Sequence, residues 1–154
     1  MKINWKALVI ALIIPLLVGG LAAFITRGSM SAFDSLNKPP LSPPGWLFPV
    51  VWTILYIMMG IASYFIYISS SPSKKIALGI YGIQLFFNFF WSIIFFNLEM
   101  YFLAFIWLVV LFLAIWACIY VFGTINRKSA YLLLPYLLWV TFAGYLNYMI
   151  FLLN

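Results

Sequence analysis

An all-α polytopic membrane protein, a bundle of five transmembrane helices, is what this sequence predicts, and three observations predict it. Of its 154 residues 68% are hydrophobic and 6% charged, with a mean hydropathy of +1.17, more apolar surface than a soluble domain of this length can hide. Five apolar stretches, at about 5–26, 44–69, 75–97, 100–123 and 129–153, each approach or exceed the ~20 residues that cross a ~30 Å hydrocarbon core as a helix. None alternates polar and apolar residues as a barrel strand does.

The first stretch follows Lys2 and Lys6, as a signal peptide would, but its apolar run is too long and no small-residue cleavage site follows, so it reads as a retained helix. Residues 27–43 form the one long connection, a loop of Arg, Gly, Ser, Asp, Asn, Lys and Pro, and the only one long enough to act as a lid. Proline fixes φ and lacks an N–H, which suits Pro43 and Pro44 to a first helical turn; the second helix is expected to start near Pro44. Trp52 then lies about 12 Å below that start, deeper than the interfacial belt. The remaining connections are short: the SSSPSKK turn, the Asn97–Glu99 corner and the Gly123–Lys128 turn. No internal repeat is evident, so residues 1–154 read as a single membrane domain.

Six of the eight basic residues, Lys2, Lys6, Lys74, Lys75, Arg127 and Lys128, belong to the N-terminus and the second and fourth connections. Arg27, Lys38 and both acids, Asp34 and Glu99, fall on the other side. This bias predicts a cytoplasmic N-terminus with the long first loop and the C-terminus outside; the expected location is a bacterial plasma membrane. The net charge of +6 is scattered over helix ends as topology signals and does not point to nucleic acid.

Conventional catalysis is poorly supplied. With no histidine, one cysteine and two carboxylates near helix ends, no catalytic triad, carboxylate pair or metal site can be assembled, and no cofactor is required. Cys118 reads as a buried small residue. The predicted helix interiors hold no ionisable relay, which disfavours a proton-coupled carrier.

Neutral polar groups fill those interiors instead. Gln84, Asn88 and Ser92 stand at i, i+4 and i+8 on the third helix with Trp91 beside them, while Trp139, Ala143 and Asn147 repeat the spacing on the fifth and Trp52, Tyr56 and Met59 line the second. Interhelical hydrogen bonding is one reading of such stripes. The other is a pocket: Asn88 lies about 20 Å and Trp139 about 15 Å from the predicted cytoplasmic side, at depths comparable with that of Trp52. Two indole donors and an amide beneath a lid form an apolar site with a few polar anchors. Trp5 and Trp46 read as interfacial anchors.

The segments KPPLSPPGWLFPVVWTILYIMMGIASY at 38–64, QLFFNFFWSIIFF at 84–96 and LPYLLWVTFAGYLN at 134–147 resemble the signature segments of the TspO/MBR family, the tryptophan-rich sensory proteins and translocator proteins. The resemblance implies a five-helix bundle, often a homodimer, that binds porphyrins, sterols and benzodiazepine-site synthetic ligands under its first loop. It also implies sensing, tetrapyrrole transport or light-dependent breakdown of protoporphyrin IX. Trp52 and Trp139 match the tryptophans tied to that photochemistry, Asn88 the pocket asparagine, and Ala143 a small residue whose enlargement affects binding. Tyr56, Phe87, Trp91 and Leu146 join as further lining by helix geometry, with Gln84, Ser92 and Asn147 from the stripes and Phe33 from the lid.

Departures from the family pattern refine the expectation. Ala32–Phe33 stands where many relatives carry Trp-Tyr, and Leu41 where they carry an aromatic, leaving Phe33 as the lid's ring. Leu146 and Tyr148 are followed by no basic residue, so the sterol-associated pattern is incomplete. Without histidine, metal-free protoporphyrin IX is an easier guest than haem. The leading expectation is a receptor-like membrane protein binding porphyrin; the rivals are a transporter of small hydrophobic molecules and a partner-binding scaffold. Gly79 and Gly82 offer a close-packing surface for a dimer.

Overall fold

A computed structural model describes residues 2–154. Long helices arise wherever the apolar run meets a workable start. Helix α1 (Trp5–Thr26) begins at Asn4, whose side-chain oxygen accepts from the Ala7 N–H at 3.1 Å. Helix α6 (Arg127–Leu153) begins at Asn126, whose side chain accepts from Lys128 and Ser129. Each cap satisfies amide donors that a first helical turn leaves open. Between these lie a short helix α2 (Met30–Asp34), then α3 (Leu47–Tyr67), α4 (Lys74–Ser92) and α5 (Tyr101–Ile125). Among the described residues, five helical spans are long and apolar enough to cross a membrane.

The second span does not begin at Pro44. Residues 44–46 form a turn in which the Leu47 N–H donates to the Pro44 carbonyl at 3.0 Å, and α3 starts at Leu47. Pro49, rather than Pro44, therefore occupies the first turn, where the missing N–H costs nothing. Trp52 then lies about 8 Å from the helix start, shallower than expected.

The end of α4 also departs from a simple helix. Ile93–Asn97 is a π-helical turn, with the Leu98 N–H donating to the Ile93 carbonyl at 3.0 Å. Widening the helix by one residue changes the direction of the side chains that follow. Phe95 turns inward and is 3% exposed. Glu99, at φ 53°, turns the chain into α5.

The long helices pack in a ring in the order α1, α3, α6, α5, α4 and back to α1, with α3 also touching α4 across the interior. Two glycines let α1 and α3 approach closely. A Cβ on Gly60 would stand 2.8 Å from the Ala11 carbonyl oxygen, and one on Gly19 would overlap the Tyr56 ring. Gly79 and Gly82 have open space instead.

The lid crosses the end of the bundle where α1, α4 and α6 finish. Ser29 Oγ donates to Asn97 Oδ1 at 2.6 Å, and Asn97 Nδ2 donates to the Ile25 carbonyl at 3.2 Å. At its far end the Asn37 N–H donates to Asn154 Oδ1 at 3.1 Å, and Asn154 Nδ2 donates back to the Asn37 carbonyl at 2.9 Å. Trp5 and Trp46, 66% and 67% exposed, stand at opposite ends of the bundle on the outside.

Candidate ligand chamber beneath the lid

Below the lid the bundle interior is built of rings. Phe33 of the lid sits 6.0 Å from Phe95, Phe95 5.5 Å from Trp91, and Trp91 6.4 Å from Trp52, centroid to centroid. Trp52 stacks on Tyr56 at 5.6 Å and meets Tyr136 edge-on at 6.2 Å. Each spacing lies in the range where aromatic pairs attract beyond their burial. The result is a continuous aromatic column from the lid to the middle of the bundle.

A hydrogen-bonded ladder lies under this column and joins α3, α4 and α6. Tyr56 Oη donates to Asn88 Oδ1 at 2.7 Å, Asn88 Nδ2 donates to Tyr136 Oη at 2.8 Å, and Tyr136 Oη donates to Gln84 Oε1 at 2.6 Å. Gln84 Nε2 reaches Met59 Sδ at 3.9 Å. A second link runs nearer the lid: Trp91 Nε1 donates to Asn147 Oδ1 at 3.0 Å, and Asn147 Nδ2 donates to the Tyr101 carbonyl at 2.8 Å. Gln84, Asn88 and Asn147 are each no more than 2% exposed. In an apolar slab such groups must find partners, and these amides find them in the protein.

Interhelical bonding is therefore what the stripes do in this state. Asn88 donates its nitrogen to Tyr136 and accepts with its oxygen from Tyr56, so the expected free polar anchor is already engaged. Tyr56, Gln84, Trp91 and Asn147 join Trp52 and Asn88 in this one assembly, with Phe33 reaching it through Phe95.

Trp139 stands apart. Three-point-six residues per turn makes each i+4 step advance about 40°, so Trp139 and Asn147 differ by about 80° around α6. Asn147 consequently faces the interior, whereas Trp139 lines a cleft of about 510 Å³ between α3 and α6, with Val51, Leu55, Met58 and Phe142. Its ring touches Phe48 and Phe142, and its buried indole Nε1 has no partner. The two indoles expected to converge thus serve opposite sides of the α3–α6 seam. The same drift leaves Ser92 only half-buried at the edge of its stripe.

Phe87 turns toward α5, its ring 4.6 Å from Trp107 and its carbonyl accepting from Trp107 Nε1 at 2.8 Å. Ala143 and Leu146 are buried on α6 at 7% exposure each. Sequence reasoning missed Tyr136, the hub of the ladder. The signal was present, since Tyr136, Val140, Ala143 and Asn147 follow the spacing of one helix face. Gly19 was missed too, because nothing in an apolar helix marks the glycine on which a ring from another helix will rest.

The sequence model of the TspO/MBR family matches residues 11–153. The chain belongs to the TspO/MBR family. Among curated family members it is 36% identical to the tryptophan-rich protein TspO of Chlorobaculum tepidum, over 98% of this chain and 99% of that protein. It is 35% identical to the translocator protein of Bos taurus over 94% of this chain and 88% of that protein. With the tryptophan-rich sensory protein of Cereibacter sphaeroides it shares 34% identity over 75% of this chain and 72% of the relative. Family membership and five apolar spans together make it an integral membrane protein.

Proposed function

We propose that this TspO/MBR protein is a receptor-like membrane protein that binds a flat hydrophobic tetrapyrrole, protoporphyrin IX, beneath its lid. The observation that carries this reading is the aromatic column Phe33–Phe95–Trp91–Trp52–Tyr56. A planar macrocycle entering the column replaces ring-on-ring contact with ring-on-macrocycle contact, while the ladder below keeps its own hydrogen bonds. No general acid or base is needed for such binding. If the bound pigment is excited by light, Trp52 is one of the two indoles in the column, beside Trp91, and Trp139 the indole in the neighbouring cleft; Trp52 and Trp139 are assigned to its degradation.

Sterols and benzodiazepine-site ligands belong to the same proposal as further apolar guests. So do a homodimer, for which Gly79 and Gly82 present open surface, and a plasma-membrane orientation with the lid outside.

Titration of the purified protein with protoporphyrin IX, followed by quenching of tryptophan emission, tests the binding. Saturable quenching is expected, weakened at least about tenfold by Trp52→Ala; unsaturable quenching equal in both proteins sinks the reading. Illumination of the complex then tests degradation: loss of the porphyrin absorbance should slow in Trp52→Phe and Trp139→Phe, and equal loss in all three proteins removes both tryptophans from the chemistry. Porphyrin flux across proteoliposomes separates a carrier from a binder.

A further inference from the structure

The lid is pinned at two ends of different character. At its start Asn97 bridges the lid's Ser29 and the Ile25 carbonyl at the end of α1, so this pin ties together three neighbouring chain ends and moves with the bundle. At its far end the lid is held by the reciprocal pair Asn37–Asn154, supplemented by Asn37 Nδ2 donating to the Leu153 carbonyl at 3.4 Å. Asn37 and Asn154 are exposed, as is Asn97, so water competes for the hydrogen bonds at both pins; the far pin differs in tying the lid to the end of α6 alone. Between the pins Phe33 is wedged edge-on against Phe96 at 5.2 Å and capped by Lys38 Nζ at 4.7 Å from its ring. Beyond the second pin come Pro39, Pro40, Pro43 and Pro44, whose fixed φ stiffens the arm that leads into α3.

Rings fill the column under the closed lid, so nothing the size of a macrocycle reaches Trp52 until Phe33 lifts off Phe95 and Phe96. The segment hinged at Asn97 lifts Phe33 only when its other end, at Asn37, is free. We infer that the Asn37–Asn154 pair is the latch of the lid, and that its opening sets the rates at which a hydrophobic ligand enters and leaves the chamber. This rests on the chamber being the ligand site, and it adds the regulation of that site by the end of α6. A latch that closes over empty and occupied chamber alike governs both rates and leaves the equilibrium nearly untouched.

The test is Asn154→Ala, an exposed change that removes the reciprocal pair. Hydrogen exchange at the Asn37 amide, measured without ligand, should quicken about tenfold, the factor expected for losing exposed hydrogen bonds. Stopped-flow mixing with protoporphyrin IX should show association and dissociation both faster by about tenfold, with Kd moved less than threefold. Unchanged exchange at Asn37 overturns the latch even if porphyrin binds nowhere in the protein. Faster exchange with unchanged binding rates overturns its role as a gate. Absence of porphyrin binding in both proteins, with exchange responding as expected, rejects the chamber as a porphyrin site and confines the latch to holding the lid.

Discussion

The Tyr136 hydroxyl accepts from Asn88 Nδ2 at 2.8 Å while donating to Gln84 Oε1 at 2.6 Å, so one phenol on α6 closes two amides of α4. Gln84 and Asn88 are one helical turn apart, and a single oxygen placed between them satisfies both. The polar stripe of α4 is thereby converted from a burden in the apolar slab into the joint that fixes the rotation of α4 against α6.

Removing that oxygen should cost more than removing its neighbour. Tyr136→Phe strands an acceptor on Gln84 and a donor on Asn88, whereas Tyr56→Phe strands only the oxygen of Asn88. Destabilisation of about 2 kcal/mol against about 1 kcal/mol is expected. Thermal unfolding in detergent reads the difference, and equal losses would show that the ladder is not hubbed on Tyr136.

The glycines of α1 and α3 should separate sharply from one another. Gly60→Ala drives a methyl into the backbone of α1 and should lower stability by about 1–3 kcal/mol. Gly19→Ala displaces the Tyr56 ring and should weaken porphyrin binding by several-fold through Trp52, which stacks on it. Gly20→Ala has open space around it and should change neither. A Gly19→Ala protein that binds like wild type would dissociate the Tyr56 ring from the chamber.

Tryptophans in two hydrogen-bonding situations offer a third comparison. Trp107 Nε1 is bonded to the Phe87 carbonyl, so Trp107→Phe should cost about 1 kcal/mol. Trp139 Nε1 is buried without a partner, and Trp139→Phe should stay within about 0.5 kcal/mol of wild type. Unfolding midpoints of the two variants check the order.

Orientation has its own test. Single cysteines at Lys75 and at Leu41, introduced with Cys118→Ala, stand at opposite ends of the bundle on exposed surface. An impermeant thiol reagent added to intact cells should label the cysteine at 41 and spare that at 75. The reverse pattern would invert the proposed topology.

Much of this was legible in the residues. Five spans, the long first connection, the polar face of Gln84 and Asn88 on α4 and the burial of Cys118 all follow from hydropathy and the 3.6-residue period. The start of α3 was misplaced because two prolines and Gly45 make a turn as readily as they open a helix, and Pro49 satisfies the same preference three residues into α3. The π-helical turn at Ile93–Asn97 left no mark that an ordinary helix end would lack. Depth, which points to the convergence of Trp52 with Trp139, says nothing about rotation around a helix axis.

By itself the sequence determined that this chain spans a membrane as helices, that its long loop lies at one end, and that its interiors carry amides and indoles needing partners. Those properties depend on solvent transfer and on neighbours within a turn or two, which any short window contains. Only the tertiary structure decided which partner each group found: Tyr136 for Gln84 and Asn88, Gly19 beneath Tyr56, Asn154 for Asn37, and separate sides of the α3–α6 seam for the two indoles. Such pairings depend on how each helix is rotated against its neighbours, and that angle is set jointly by the close packing of all five spans.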